Sequence, residues 1–229
     1  AYLNPISGEI KSLIAVFALN FICGLLTALL INHESFSFKK KLALARRAGF
    51  DYLEISIDES DKKLSRVFDA STRREFVTAA KNSDIRVKTM CLSGHRRFPL
   101  GSHDAETRKK SLELMQAAID FALDAGVRII QLAGYDVYYE EGDDFTRAAF
   151  AENLAKCAEM AARAGVCMGF ETMETEFMNT ATKAKRYVDM INSPYLKIYP
   201  DMGNIRNATD DYLGDLRACR GDIIAAHLK

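Results

Sequence analysis

Three apolar runs in the second half of the chain each close on a residue that can hold a metal or move a proton. Val166-Cys-Met-Gly-Phe-Glu171 ends on a carboxylate, Leu196-Lys-Ile-Tyr-Pro-Asp201 on another, and Ile223-Ile-Ala-Ala-His227 on an imidazole. The steps between these ends, 30 and 26 residues, each suit one strand plus one helix. In a parallel α/β fold such strand ends share one face, where those folds keep their chemistry. Any one of the three is ordinary polarity returning at a strand end. Together, Glu171, Asp201 and His227 are a ligand set for a divalent metal ion, and their chemistry suits Mn, Mg, Zn or Co without choosing among them.

Three loops offer further candidates. Met90 to Ser102 holds Ser93, His95, Arg96, Arg97 and Ser102 around Gly94. Such a loop suits an anionic, hydroxyl-rich ligand, and equally a solvated turn with its arginines on surface acids. Gln131-Leu-Ala-Gly-Tyr135 is followed by Asp136, Tyr138, Tyr139, Glu140 and Glu141. Aromatic rings beside polar groups fit a sugar, and also fit a plain rim. Glu174, Glu176 and Asn179 follow Glu171, and Asn204 follows Asp201, as candidate substrate or supporting contacts. Asp58, Glu59 and Asp61 read as an acidic helix-capping turn. No phosphate-binding P-loop, dinucleotide GxGxxG or GxSxG nucleophile motif occurs, so nucleophilic serine or cysteine catalysis has no motif behind it.

The elements that must carry these residues follow a cassette. A helix over 39–48 stops at Gly49 and a strand covers 50–57. A helix over 106–125 stops at Gly126 and a strand covers 127–133. A helix over 145–164 stops at Gly165 and a strand covers 166–171. Repeated helix–Gly–strand junctions mark βα units. Further helices are expected at 71–80 (capped by Ser71 or Asp69), 180–191 and 210–218, and strands at 85–91, 196–199 and 222–228. A first strand fits within 21–31. The expected fold is an α/β (β/α)8 TIM barrel, incomplete at its C-terminus, because the last helix and eighth strand do not follow Leu228 before the sequence stops at Lys229.

With 229 residues and 48% apolar content, one sizeable core is expected. The 31 basic and 31 acidic residues cancel, which argues against nucleic acid or an anionic membrane surface as partner. Five scattered cysteines without a CxxC read as reduced thiols in a cytoplasmic protein. One run departs from this. Ser12 to Ile31 carries no charge over 20 residues, about a bilayer's span, with Lys39-Lys40-Lys41 beyond it. It reads as a buried strand with an apolar extension, or alternatively as a membrane anchor holding the rest on the cytoplasmic side. The chain thus divides into an atypical apolar segment over 1–36 and a partial barrel over 37–229.

The runs MCLSGHRRFPLGS, IIQLAGYDVYYE, FETMET with FMNT, YPDMGN and AAHLK, in this order and spacing, resemble the L-ribulose-5-phosphate 3-epimerase / L-xylulose-5-phosphate 3-epimerase family, xylose isomerase-like TIM barrels of pentose and L-ascorbate degradation. The resemblance runs from about Phe38 to Lys229. It implies an isomerase acting on a phosphorylated ketopentose with a divalent metal as Lewis acid. Glu171, Asp201 and His227 match metal ligands, and Glu171 also matches one of two glutamates that move the C3 proton through a cis-enediolate. It implies that loop donors such as Ser93, His95 or the arginines Arg96 and Arg97 hold the phosphate, beside Tyr135, Glu174 and Asn204 as the substrate candidates read from the residues themselves, and leaves a homo-oligomer open. Two departures stand out. The family's fourth ligand and second proton carrier, a glutamate on the eighth strand, has no counterpart here, and near Gly24-Leu-Leu-Thr27 the first strand's Gly-x-Tyr-Glu pattern lacks its carboxylate. A non-catalytic remnant, or another ketose isomerase on the same scaffold, therefore stays open at this point.

Overall fold

A computed structural model describes residues 36–228. In chain order it places α1 (Phe38–Arg47), β1 (Tyr52–Ser56), α2 (Asp61–Phe68), α3 (Ala70–Lys81), β2 (Arg86–Leu92), α4 (Ala105–Ala125), β3 (Ile129–Ala133), α5 (Asp144–Ala164), β4 (Cys167–Glu171), α6 (Ala181–Ile191), β5 (Leu196–Tyr199), α7 (Met202–Ala208) and α8 (Tyr212–Ala218). A 3-10 turn, Ser93–Arg96, follows β2. The strands are parallel and lie in sequence order, β1-β2-β3-β4-β5. A doubly wound sheet reverses its order at a switch point; a barrel wall does not.

The strand registers sort the two faces. Ile55, Met90, Ile130, Met168 and Leu196 are aligned across the sheet, as are Leu92, Leu132, Phe170 and Ile198, and all belong to the apolar core. This face packs under the helices. Phe150 of α5, for instance, meets Phe170 at 6.1 Å and Tyr187 of α6 at 5.2 Å between ring centroids. Burying each phenylalanine contributes roughly 2–3 kcal/mol. The intervening residues form the other face: Ser56, Cys91, Gln131, Gly169 and Lys197 in one row, and Ala133, Glu171 and Tyr199 in the next. That face is concave. The Tyr199 hydroxyl on β5 lies 3.4 Å from Glu54 on β1, across strands that a flat sheet would hold about 19 Å apart.

Helix ends follow local chemistry. Gly49, Gly126 and Gly165 all take positive φ at the expected junctions (85°, 77° and 67°), ending α1, α4 and α5. Asp69, one of the two expected caps, accepts from the Thr72 N–H at 2.7 Å and starts α3. The acidic turn does cap a helix, through Ser60, whose side chain accepts from Lys63 N while Asp58 accepts from the Ser60 hydroxyl at 2.6 Å.

Two features differ from expectation. Helices α2 and α7 are additional. The strand expected over 222–228 is reduced to two isolated parallel bridges, Ile198 to Ile223 and Asp201 to His227. Pro200 interrupts the ladder because it has no N–H to donate, and the pairing offset changes by one residue between the bridges. The segment over 1–35, with its expected first strand and the alternative membrane anchor at 12–31, lies outside the described residues. Among those described, no helix is long and apolar enough to cross a membrane.

Candidate active site

Alternation along β4 puts Phe170 among the helices and Glu171 on the concave face, 6% exposed. Asp201 follows the proline that ends β5 and caps α7, its side chain accepting from the Asn204 N–H at 2.8 Å. It is fully buried. His227 is pinned through its backbone: its N–H donates to Pro200 O at 2.8 Å and its carbonyl accepts from Met202 N at 3.0 Å.

These three anchors bring the side chains together. His227 Nδ1 lies 2.7 Å from Glu171 Oε1 and 3.4 Å from Asp201 Oδ2. One ligand atom from each residue falls within 4.8 Å of the others. Ligands about 2.0–2.2 Å from one ion lie up to about 4.4 Å apart, so the set fits a single divalent metal with little adjustment. Two carboxylates against one imidazole also leave the cluster short of positive charge, which a dication supplies. The Glu171 hydrogen bond raises the His227 pKa above its ordinary value, against burial, and the negative charges of Glu171, Asp201 and Glu54 add to the rise.

A residue outside the expected set holds Asp201 in place. Thr172 is fully buried; its hydroxyl accepts from Asp201 N at 2.9 Å and its carbonyl accepts from the Asn204 side-chain amide at 2.8 Å. Asn204, expected among substrate contacts, is thus a positioning residue that ties the end of β4 to the start of α7. Thr172 gave no signal beyond its place after Glu171.

The loop after β2 divides its expected ligand-binding residues. His95 is corrected: its ring is buried and its Nε2 lies 3.2 Å from the Ser111 carbonyl of α4, so it braces the wall instead of facing the site. Arg97 is corrected too. It is exposed and pairs with Asp61 at 2.6 Å, the surface-acid alternative. Arg96 turns the other way, with its guanidinium 5.7 Å from the Tyr135 ring centre and 5.1 Å from that of Tyr138. Its Nε is buried with no hydrogen-bond partner among the described residues. Tyr135 donates to Glu174 at 2.8 Å, which accounts for both residues as a loop-to-loop tie on the rim. Ser93 is buried in the 3-10 turn beside Cys91.

The concave face also carries Glu54, Cys91 and Gln131. Burial first, then the charges of Glu54 and Glu171, push the Cys91 thiol up to about 12, so it is no nucleophile. Cys91, Cys157, Cys167 and Cys219 are all free thiols.

Comparison with known proteins agrees with this architecture. The model of the xylose isomerase-like TIM barrel family matches residues 42–229. L-ribulose-5-phosphate 3-epimerase UlaE of Salmonella heidelberg is 45% identical over 191 residues, which are 83% of this chain and 67% of that protein. The protein of the same name from Escherichia coli (strain SMS-3-5 / SECEC) matches at the same identity and coverage. Among solved structures, the fold is shared with 3-keto-D-glucoside 4-epimerase from E. coli (TM-score 0.71, 19% identity, 86% of this chain and 76% of that one). It is also shared with D-allulose 3-epimerase from Methylomonas sp. (TM-score 0.70, 20% identity, 83% of this chain and 65% of that one). By its strand order, by the match over 42–229 and by 45% identity to two epimerases, the chain belongs to the xylose isomerase-like TIM barrel family, alongside the L-ribulose-5-phosphate 3-epimerases.

Proposed function

We propose that the protein is a metal-dependent sugar epimerase that inverts C3 of a ketopentose 5-phosphate, L-ribulose 5-phosphate or L-xylulose 5-phosphate. The observation that carries this reading is the convergence of Glu171, Asp201 and His227 within 4.8 Å at the strand ends, in a chain 45% identical to proteins named for that reaction. A bound Mn, Mg, Zn or Co ion would be held by Glu171, Asp201 and His227, and would supply Lewis acidity that makes the C3 proton easier to remove.

Glu171 takes that proton. It is buried at the rim, and its hydrogen bond to His227 fixes one of its oxygens, which orients the carboxylate as a base. The resulting cis-enediolate has lost the configuration at C3, so a proton delivered to the opposite face inverts it. The family resemblance gives that delivery to a glutamate on an eighth strand. Arg96 is the residue suited to the phosphate end. Its Nε is a donor aimed away from solvent, and the two tyrosine rings hold the guanidinium plane. The four thiols among the described residues are free, which suits a reducing, cytoplasmic setting.

The test is to incubate the Mn-loaded protein with L-ribulose 5-phosphate in deuterated water and follow the C3 proton by NMR. Exchange that stops on chelation supports the reading; a folded, metal-loaded protein that leaves the proton in place overturns it. Arg96→Met should raise KM for the phosphorylated sugar at least tenfold, while Arg97→Met should not.

A further inference from the structure

Gln131 is 1% exposed, and neither its side-chain oxygen nor its side-chain nitrogen has a hydrogen-bond partner among the described residues. It is not part of the helix-facing core, whose β3 members are Ile130 and Leu132. The register places it on the concave face between Cys91 and Gly169, one row below Ala133 and Glu171. Its flanks are small: a thiol on one side, no side chain on the other, and a half-buried alanine between it and the rim. Leaving a buried amide without partners is costly, and native structures keep such groups where something else satisfies them.

The chemistry of the group says what that something is. A primary amide offers donors and an acceptor together. A phosphate only accepts, and a cation takes only the oxygen. A hydroxyl both donates and accepts, so it uses both ends of the amide. We infer that Gln131 is a specificity-determining residue, hydrogen-bonded to a hydroxyl of the sugar chain whose C3 lies against Glu171. This rests on the epimerase reading for the identity of the sugar. The two ends of the substrate are then sorted by donor chemistry, with the anion at Arg96 on the rim and a neutral hydroxyl at Gln131 below.

The test compares wild type with Gln131→Met, a near-isostere without the polar atoms. Because the amide is unpartnered in the free protein, the variant should melt at a higher temperature, yet lose 10- to 100-fold in kcat/KM on L-ribulose 5-phosphate. Substrate analogues lacking one hydroxyl, 4-deoxy and 1-deoxy, identify the contact. With one of them wild type should fall to the level of the variant, and the variant should lose nothing further. A variant with unchanged kcat/KM overturns the inference whichever way its melting temperature moves, as does a further loss by the variant on both analogues. Wild-type turnover scores the epimerase reading separately. If turnover is absent, the thermal shift given by L-ribulose 5-phosphate decides for Gln131: a shift in wild type that Gln131→Met loses supports it, and equal or absent shifts overturn it.

Discussion

The imidazole of His227 and the carboxylate of Glu171 meet at 2.7 Å although 56 residues separate them. Neither is placed by the other. Glu171 is set by the pleat of β4, and His227 by backbone hydrogen bonds to Pro200, just past β5, and to Met202, the first residue of α7. A contact built from two independent supports is pre-organised, which is what a metal-binding base requires. Glu171→Gln keeps the shape and removes the base. It should lower C3 exchange by a factor of about 10²–10⁴ while leaving the fold intact. The checks are single-turnover deuterium exchange and circular dichroism on the same preparation. Near-normal exchange in Glu171→Gln would move the base to another residue.

Thr172 supports the third ligand. Its hydroxyl takes the buried N–H of Asp201 and its carbonyl takes the Asn204 amide. Thr172→Val preserves volume and removes the hydroxyl, leaving that N–H unsatisfied at a cost of about 1–3 kcal/mol. Supporting hydrogen bonds around metal ligands typically govern affinity by 10–100-fold. Mn affinity measured by calorimetry should fall by that range, and denaturant unfolding should show the stability loss. An unchanged Mn affinity would make Thr172 a packing residue only.

How legible this site was depends on what each residue's placement rests on. Glu171 and Asp201 sit at the ends of β4 and β5, and the alternation and length of an apolar run are written in the sequence. The helix–Gly–strand junctions are legible for the same reason, since Gly49, Gly126 and Gly165 each supply a left-handed backbone that other residues resist. His95 and Arg97 were misplaced because a loop's sequence gives composition without direction. Over three consecutive residues, His95 points into α4, Arg96 onto Tyr135 and Arg97 onto Asp61. Thr172 and Gln131 do their work through tertiary pairing, with partners 29 residues away or none among the described residues, and no local pattern marks either.

Gly134 lies where β3 hands over to the rim loop, and its lack of a side chain is required by β4. A Cβ there would stand 2.6 Å from the Glu171 carbonyl oxygen and 2.8 Å from Met178 Sδ. The methionine can move, but the backbone oxygen moves only with Glu171 itself. Gly134→Ala should therefore cost about 1–3 kcal/mol in stability. It should also lower kcat by more than tenfold, because displacements near 1 Å at a reacting group have effects of up to about 10². Thermal melts and exchange kinetics of the variant check both. Full activity with lowered stability would show that the strain is absorbed on the Met178 side.

The corrected role of His95 has its own consequence. Burial holds its pKa at about 4, far below the ordinary 6.5, with the hydrogen bond to Ser111 opposing only part of that fall. The folded protein thus keeps His95 neutral where the unfolded chain already binds a proton. Stability from this residue is intact above pH 6.5 and is lost as pH falls toward 4. At 1.36 kcal/mol per unit, the loss across that window is on the order of 3 kcal/mol. His95→Gln can still donate to the Ser111 carbonyl and does not titrate. Urea unfolding at pH 8, 6, 5 and 4 should show the variant somewhat less stable than wild type at pH 8, by about 1 kcal/mol for imperfect packing. The order should reverse between pH 6 and pH 5. Parallel pH profiles for the two proteins would mean that His95 binds its proton equally well in the folded and unfolded chain, and that burial does not hold it neutral.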